Sequence, residues 1–175
     1  MLHFGYSKES GIPYDMAFTK SKYIGRTFIQ NTQDTRNELV GLKLNPIKPS
    51  VKDKKIVLID DSIVRGTTIT KLIKILKRAG AKEVHLRIAA PAFIDVCYFG
   101  TDIDNKEDLI TNNRTVEEVR KIVGADSLEY LSLKSLGEIT KDCHVKGLCT
   151  GCFSGEYPID VPKDINKNSF EEIKF

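Results

Sequence analysis

Lys54-Lys55-Ile56-Val57-Leu58-Ile59-Asp60-Asp61-Ser62-Ile63-Val64-Arg65-Gly66-Thr67-Thr68 carries three local instructions in one run. The charged lead-in followed by unbroken aliphatics at 56–59 predicts a buried parallel strand, because such strands are covered on both faces and need no polar alternation. Asp60 and Asp61 end it. A loop of hydroxyls around one glycine, Ser62 to Thr68, then opens into apolar residues at 69, 72, 73 and 76. That i, i+3, i+4, i+7 stripe predicts a helix, closed by Gly80 in the position after its C-cap. Val84, Leu86, Ile88 and Ala90 alternate like a second strand, stopped by Pro91. Residues 54–90 therefore read as strand, loop, helix, strand, which places the chain in the α/β class.

Outward from this unit the signals weaken. Thr115-x-x-Glu118 is a capping box ahead of Val116, Val119, Ile122 and Val123, with Gly124 to end the helix. Leu128 to Leu133 reads as a strand, Leu2 to Ser10 as the end of a helix, Ile12 to Thr19 as a further strand, and His85 as an exposed strand residue. From Lys20 to Leu44 the chain is polar and poorly periodic, which points to a functional loop. Residues 159–175 read as a tail. The 175 residues suit one domain at roughly 150 residues each. A net charge of +3 gives little reason to expect a nucleic-acid partner, and no apolar run approaches the roughly 18 residues of a membrane span. The expectation is a cytoplasmic protein.

In open α/β sheets, ligands bind beyond the carboxyl ends of the strands, where Asp60 and Asp61 lie. Adjacent carboxylates repel, and a cation or a sugar diol relieves that repulsion. The loop behind them supplies hydroxyls at Ser62, Thr67 and Thr68 and freedom at Gly66, then enters a helix N-terminus whose amides favour phosphate. An acidic pair alone would equally suit a solvated strand end before an ordinary helix. Its Ser-Ile-Val-Arg-Gly-Thr-Thr continuation argues for a phosphorylated sugar. Of the four cysteines, Cys149-Thr-Gly-Cys152 forms a C-x-x-C pair, open between zinc and redox use on spacing alone. With no secretory signal in view, metal or redox chemistry is favoured over a disulfide framework.

Val57 to Thr68 closely resembles the phosphoribosyl pyrophosphate signature of type I phosphoribosyltransferases, and its form is similar to that of the amidophosphoribosyltransferase family. Ser10-Gly-Ile-Pro-Tyr14, Lys22-Tyr-Ile-Gly-Arg-Thr-Phe-Ile29, Cys97-Tyr-Phe-Gly100 and Leu148-Cys-Thr-Gly-Cys-Phe-Ser-Gly-Glu-Tyr-Pro158 resemble further elements of that family in the same order. The resemblance implies a type I fold, a parallel-sheet core with helices on both faces. It implies ammonia transfer to phosphoribosyl pyrophosphate in de novo purine synthesis, with pyrophosphate as leaving group. Asp60 and Asp61 would contact the ribose and hold Mg²⁺, and Ser62, Ile63, Val64, Arg65, Gly66, Thr67 and Thr68 would take the 5′-phosphate. Lys22 and Arg26, on a closing loop of residues 22 to about 37, would reach the pyrophosphate.

Cys97, Cys149 and Cys152 match three of the four [4Fe–4S] ligands of the family's iron–sulfur members. Zinc is the alternative, and Cys143 with His144 could offer a substitute ligand. The resemblance also implies a homo-oligomer and a glutaminase domain as partner. Measured against the family, residues 1–158 read as a phosphoribosyltransferase domain without its first strand and pyrophosphate loop, and the glutaminase domain is absent from this chain. The expectation is thus a fragment. Two other readings stay open: a non-catalytic sensor of phosphoribosyl pyrophosphate, and an inactive metal-binding remnant.

Overall fold

The computed structural model describes residues 2–20, 44–101, 103, 105–141 and 147–161. The run quoted first folds as read. β3 (Lys55–Asp60) leads through the hydroxyl-rich loop into α3 (Thr67–Arg78), and β4 (Glu83–Ile88) returns parallel to β3 with Val57 opposite His85. Ile69, Ile73 and Leu76 of α3 are buried against Val84, Leu86 and Ile88 of β4. Gly80, at φ +98°, ends the helix as the sequence predicts. The capping box also forms. Thr115 Oγ1 accepts the Glu118 N–H, the Glu118 carboxylate takes the Thr115 N–H at 2.7 Å, and α4 (Val116–Val123) runs to Gly124. β5 (Ser127–Tyr130) then pairs parallel with β4, giving the order β3-β4-β5.

Before this unit lie α1 (Leu2–Ser10), a two-stranded antiparallel pair of β1 (Phe18–Lys20) with β2 (Leu44–Pro46), and the short α2 (Lys48–Val51). After it come α5 (Leu133–Lys141) and α6 (Gly151–Ser154).

Four readings need correction. Ile56 to Ile59 are half-buried, because β3 holds an outer place in the described sheet and only β4 pairs with it. Ile12 to Ala17 is irregular, and only Phe18 onward finds a partner strand. The strand expected to reach Leu133 stops at Tyr130, since Ser132 accepts the Ser135 N–H at 3.0 Å and starts α5. His85, expected to be exposed, is half-buried. Its Nδ1 pairs with Ser127 Oγ and its Nε2 with Glu83 Oε2, both at 2.9 Å.

Asp126 ties the sheet together. Its Oδ2 accepts the Val84 N–H at 2.7 Å, its own N–H donates to Val84 O, and Lys77 Nζ lies 3.2 Å away. The Val84 hydrogen bond, aided by Lys77, holds its carboxyl below the usual range against a smaller opposing effect of burial. Asp126→Ala should cost about 1–2 kcal/mol, measured by denaturant unfolding near neutral pH. A depressed carboxyl stabilises the fold above its unfolded value and loses that contribution as pH falls through its folded value. The gap between wild type and variant should therefore close below about pH 4.

Candidate functional site

The cavity at the carboxyl end of β3 has a volume of about 340 Å³ and is lined by Asp60 and by residues 62–69. Gly66 caps α3 in the left-handed region at φ +73°, and its carbonyl accepts both the N–H and the hydroxyl of Thr70, at 3.0 and 2.8 Å. The first turn of α3 therefore opens toward the cavity with the exposed hydroxyls of Thr67 and Thr68 beside it. Ile63 is buried and Val64 packs on a second apolar cluster, so these two can offer a ligand only main chain. That explains how aliphatic residues sit within a polar loop.

The two acids behave differently. Burial pushes the Asp60 carboxyl above the usual carboxylate range, the Asp61 N–H pulls it back, and the Asp61 charge raises it further. Asp61 is exposed and accepts the Ser62 hydroxyl at 3.2 Å. Among the described residues no salt bridge engages either carboxylate. Both retain acceptor capacity for a cation or a diol, which suits a Mg²⁺ ion.

The cysteines lie beyond β4. Cys97 and Cys152 pack on the same apolar cluster as Phe93, Ile103, Leu109 and Val64. Burial raises the Cys97 thiol, but hydrogen bonds from the backbone N–H groups of Phe99, Thr101 and Gly100 outweigh it and bring the thiol down to about 7. The Thr101 N–H lies 3.3 Å from Cys97 Sγ. Such a cradle suits a thiolate ligand. Cys152 is pushed up to about 11, first by burial and then by the neighbouring Cys97 charge, while Cys149 is exposed. Among the described residues, no three His, Cys, Asp or Glu side chains are grouped closely enough to hold a metal ion. Cys97, Cys149 and Cys152, expected as three ligands of one cluster, are therefore not gathered into a metal site; Cys97 and Cys152 share the apolar cluster, and Cys149 lies close to Cys152 in sequence only. Lys22, Arg26, Cys143, His144 and residues 162–175 fall outside the described residues.

Protein contacts alone already tie these thiols together. Cys152 O accepts the N–H groups of Ile94 and Asp95, and the Tyr157 hydroxyl donates to Val96 O at 2.7 Å. A side chain on Gly151 would overlap the Tyr157 ring. Sequence reasoning missed this clasp, as it missed the segment Lys106–Thr111 that rests against the loop. Neither is periodic. Their only signal is a scatter of apolar residues, Ile103, Leu109, Ile110 and Phe153, among charges.

Comparison with known proteins agrees with this geometry. A chain of Methanothermobacter thermautotrophicus named amidophosphoribosyltransferase is 52% identical over 93% of this chain and 34% of its own length. A namesake from Archaeoglobus fulgidus is 47% identical over 90% of this chain and 35% of its own. The solved B. subtilis glutamine phosphoribosylpyrophosphate amidotransferase, complexed with ADP and GMP, superposes with a TM-score of 0.78 at 40% identity, over 92% of this chain and 36% of that one. The chain spans about a third of the length of these relatives. No helix among the described residues is long and apolar enough to cross a membrane. The family described as phosphoribosyl transferase domain matches residues 6–96, which include the acidic pair, the glycine loop and its helix, and it is to this family that the chain belongs.

Proposed function

We propose that the chain is the phosphoribosyl-binding part of an amidophosphoribosyltransferase. Such an enzyme forms 5-phosphoribosylamine from phosphoribosyl pyrophosphate and glutamine-derived ammonia in de novo purine synthesis, and releases pyrophosphate. The supporting observation is the cavity that sets Asp60 beside the main chain of residues 62–69 and the start of α3. The loop amides and the hydroxyls of Ser62, Thr67 and Thr68 take the 5′-phosphate. Asp60 and Asp61 orient the ribose hydroxyls and would hold Mg²⁺, which supplies positive charge against the leaving pyrophosphate. Lys22 and Arg26 add contacts to the pyrophosphate. Ammonia is nucleophilic without a strong base, so these residues act by binding, orienting and excluding water.

In this reading Cys97, Cys149 and Cys152 hold a [4Fe–4S] cluster as a structural staple, with zinc as the alternative metal and a fourth ligand drawn from Cys143, solvent or another chain. A glutaminase domain is the partner that delivers ammonia, the assembly is a homo-oligomer, and the enzyme works in the cytoplasm. The test is pyrophosphate release from phosphoribosyl pyrophosphate with Mg²⁺ and ammonium, measured on the protein that carries this chain. Binding without release would favour a sensor. Neither binding nor release would favour an inactive remnant.

Anaerobic purification followed by iron, sulfide and zinc analysis checks the cysteine assignment. Stoichiometric zinc without iron would replace the cluster with a zinc site. Chelation should speed hydrogen exchange around Cys149 far more than in residues 151–157, because hydrogen bonds and ring packing hold the latter without metal. Equal loosening of both stretches would show that the metal alone fastens them.

A further inference from the structure

We infer that Asp108 is a positioning residue for the phosphate loop, acting through Arg65, and that residues 108–110 form the rest against which the loop is set. Only the identity of the ligand depends on the proposed function. Asp108 Oδ2 accepts from Arg65 Nε at 3.3 Å and from Nη2 at 2.9 Å. The Ile110 N–H donates to Val64 O at 2.8 Å. The Ile110 side chain, 5% exposed, occupies the space that a Cβ on Gly66 would enter. Three consecutive loop residues, Val64, Arg65 and Gly66, are each met by this one segment.

The rest is itself anchored. Leu109 and Ile103 are each 1% exposed in the second apolar cluster, and the Thr111 hydroxyl donates to the Phe93 carbonyl. Among the described residues, none of 105–111 lines the cavity, so the segment acts on a ligand only through the loop. The Arg65 and Asp108 side chains are 59% and 43% exposed, and an exposed pair of this kind adds little to global stability. Its effect is on where the loop lies. Without Asp108 the Arg65 guanidinium loses its anchor and the loop samples more positions, each a poorer match to a phosphate.

The experiment compares the wild-type protein with Asp108→Ala and Asp108→Glu. The Ile110 amide reports the rest directly through its bond to Val64 O. Its hydrogen exchange should quicken about fivefold in Asp108→Ala and return to within about twofold of wild type in Asp108→Glu, while the melting temperature stays unchanged. The dissociation constant for phosphoribosyl pyrophosphate with Mg²⁺, by calorimetry, should rise about fivefold and recover in the same order. In turnover the loss should fall on KM rather than kcat. Unchanged exchange at Ile110 overturns the inference, and so does an affinity that holds or improves in Asp108→Ala. A lowered melting temperature with no recovery in Asp108→Glu would reduce Asp108 to a structural residue and overturn it too. Exchange that shifts as expected in a protein whose wild type binds no phosphoribosyl pyrophosphate would overturn the proposed function, and leaves the mechanical link between Asp108 and the loop standing.

Discussion

Gly66→Val should weaken binding of phosphoribosyl pyrophosphate by at least about tenfold, about 1.4 kcal/mol, read by calorimetry. Two independent causes converge at this position. At φ +73° a β-branched side chain sits in a region that costs an L-residue roughly 1–2 kcal/mol. A Cβ there also overlaps Ile110 Cδ1, so either the loop or the buried isoleucine must shift. Combining Gly66→Ala with Ile110→Ala separates the two. The double variant removes the overlap and keeps the unfavourable φ, so it should recover part of the affinity lost in Gly66→Ala alone. Unchanged affinity in Gly66→Val would count against a loop that wraps its main chain around phosphate.

Replacing either acid should do more to turnover than to folding. On the proposed reading, Asp60→Asn and Asp61→Asn are each expected to lower ammonia-dependent transfer by roughly a hundredfold or more, since each would remove a charge assigned to ligand and metal. Asp60 makes the sharper case. Its carboxyl is raised, so the charged form is penalised in the folded state above the folded value, and the penalty fades as pH falls from that value to the ordinary carboxylate value and is absent below it. The neutral amide never carries that penalty. Asp60→Asn should therefore melt at or slightly above the wild-type temperature near pH 7, while its rate collapses. Near-wild-type turnover in both variants would sink the assignment.

Residues 54–90 were legible from sequence because local pattern and tertiary outcome agree there. The aliphatic run, the glycine cap and the stripe of Ile69, Ile73 and Leu76 all specify one arrangement. The capping box at Thr115 was legible for the same reason. The burial of β3 was overstated, because the composition of a strand reports what it is suited to pair with and not how many neighbours it has. Leu131 to Leu133 was misread because a single serine between two leucines fits strand alternation, which hides the N-cap role of Ser132. At the site, the residues that touch the cavity could be found from their chemistry. Their support could not. Asp108 and Ile110 lie far along the chain from the loop, and neither stands in a repeat or motif.

The clasp between Tyr157 and Val96 brings two distant parts of the chain together without a metal. These residues lie 61 positions apart, and closing so long a loop has an entropic cost that grows only slowly with length but must be met once. The two N–H groups bonded to Cys152 O, the Tyr157 hydroxyl and the contact of Phe93 with Phe153 share that cost before any metal arrives. Residues 93–97 and 151–157 are thus held together by protein contacts alone, without the gathering that a metal performs in zinc fingers, whose fold the metal creates. If the proposed metal binds at Cys97 and Cys152, its binding energy would go into bonds to sulfur rather than into gathering the chain.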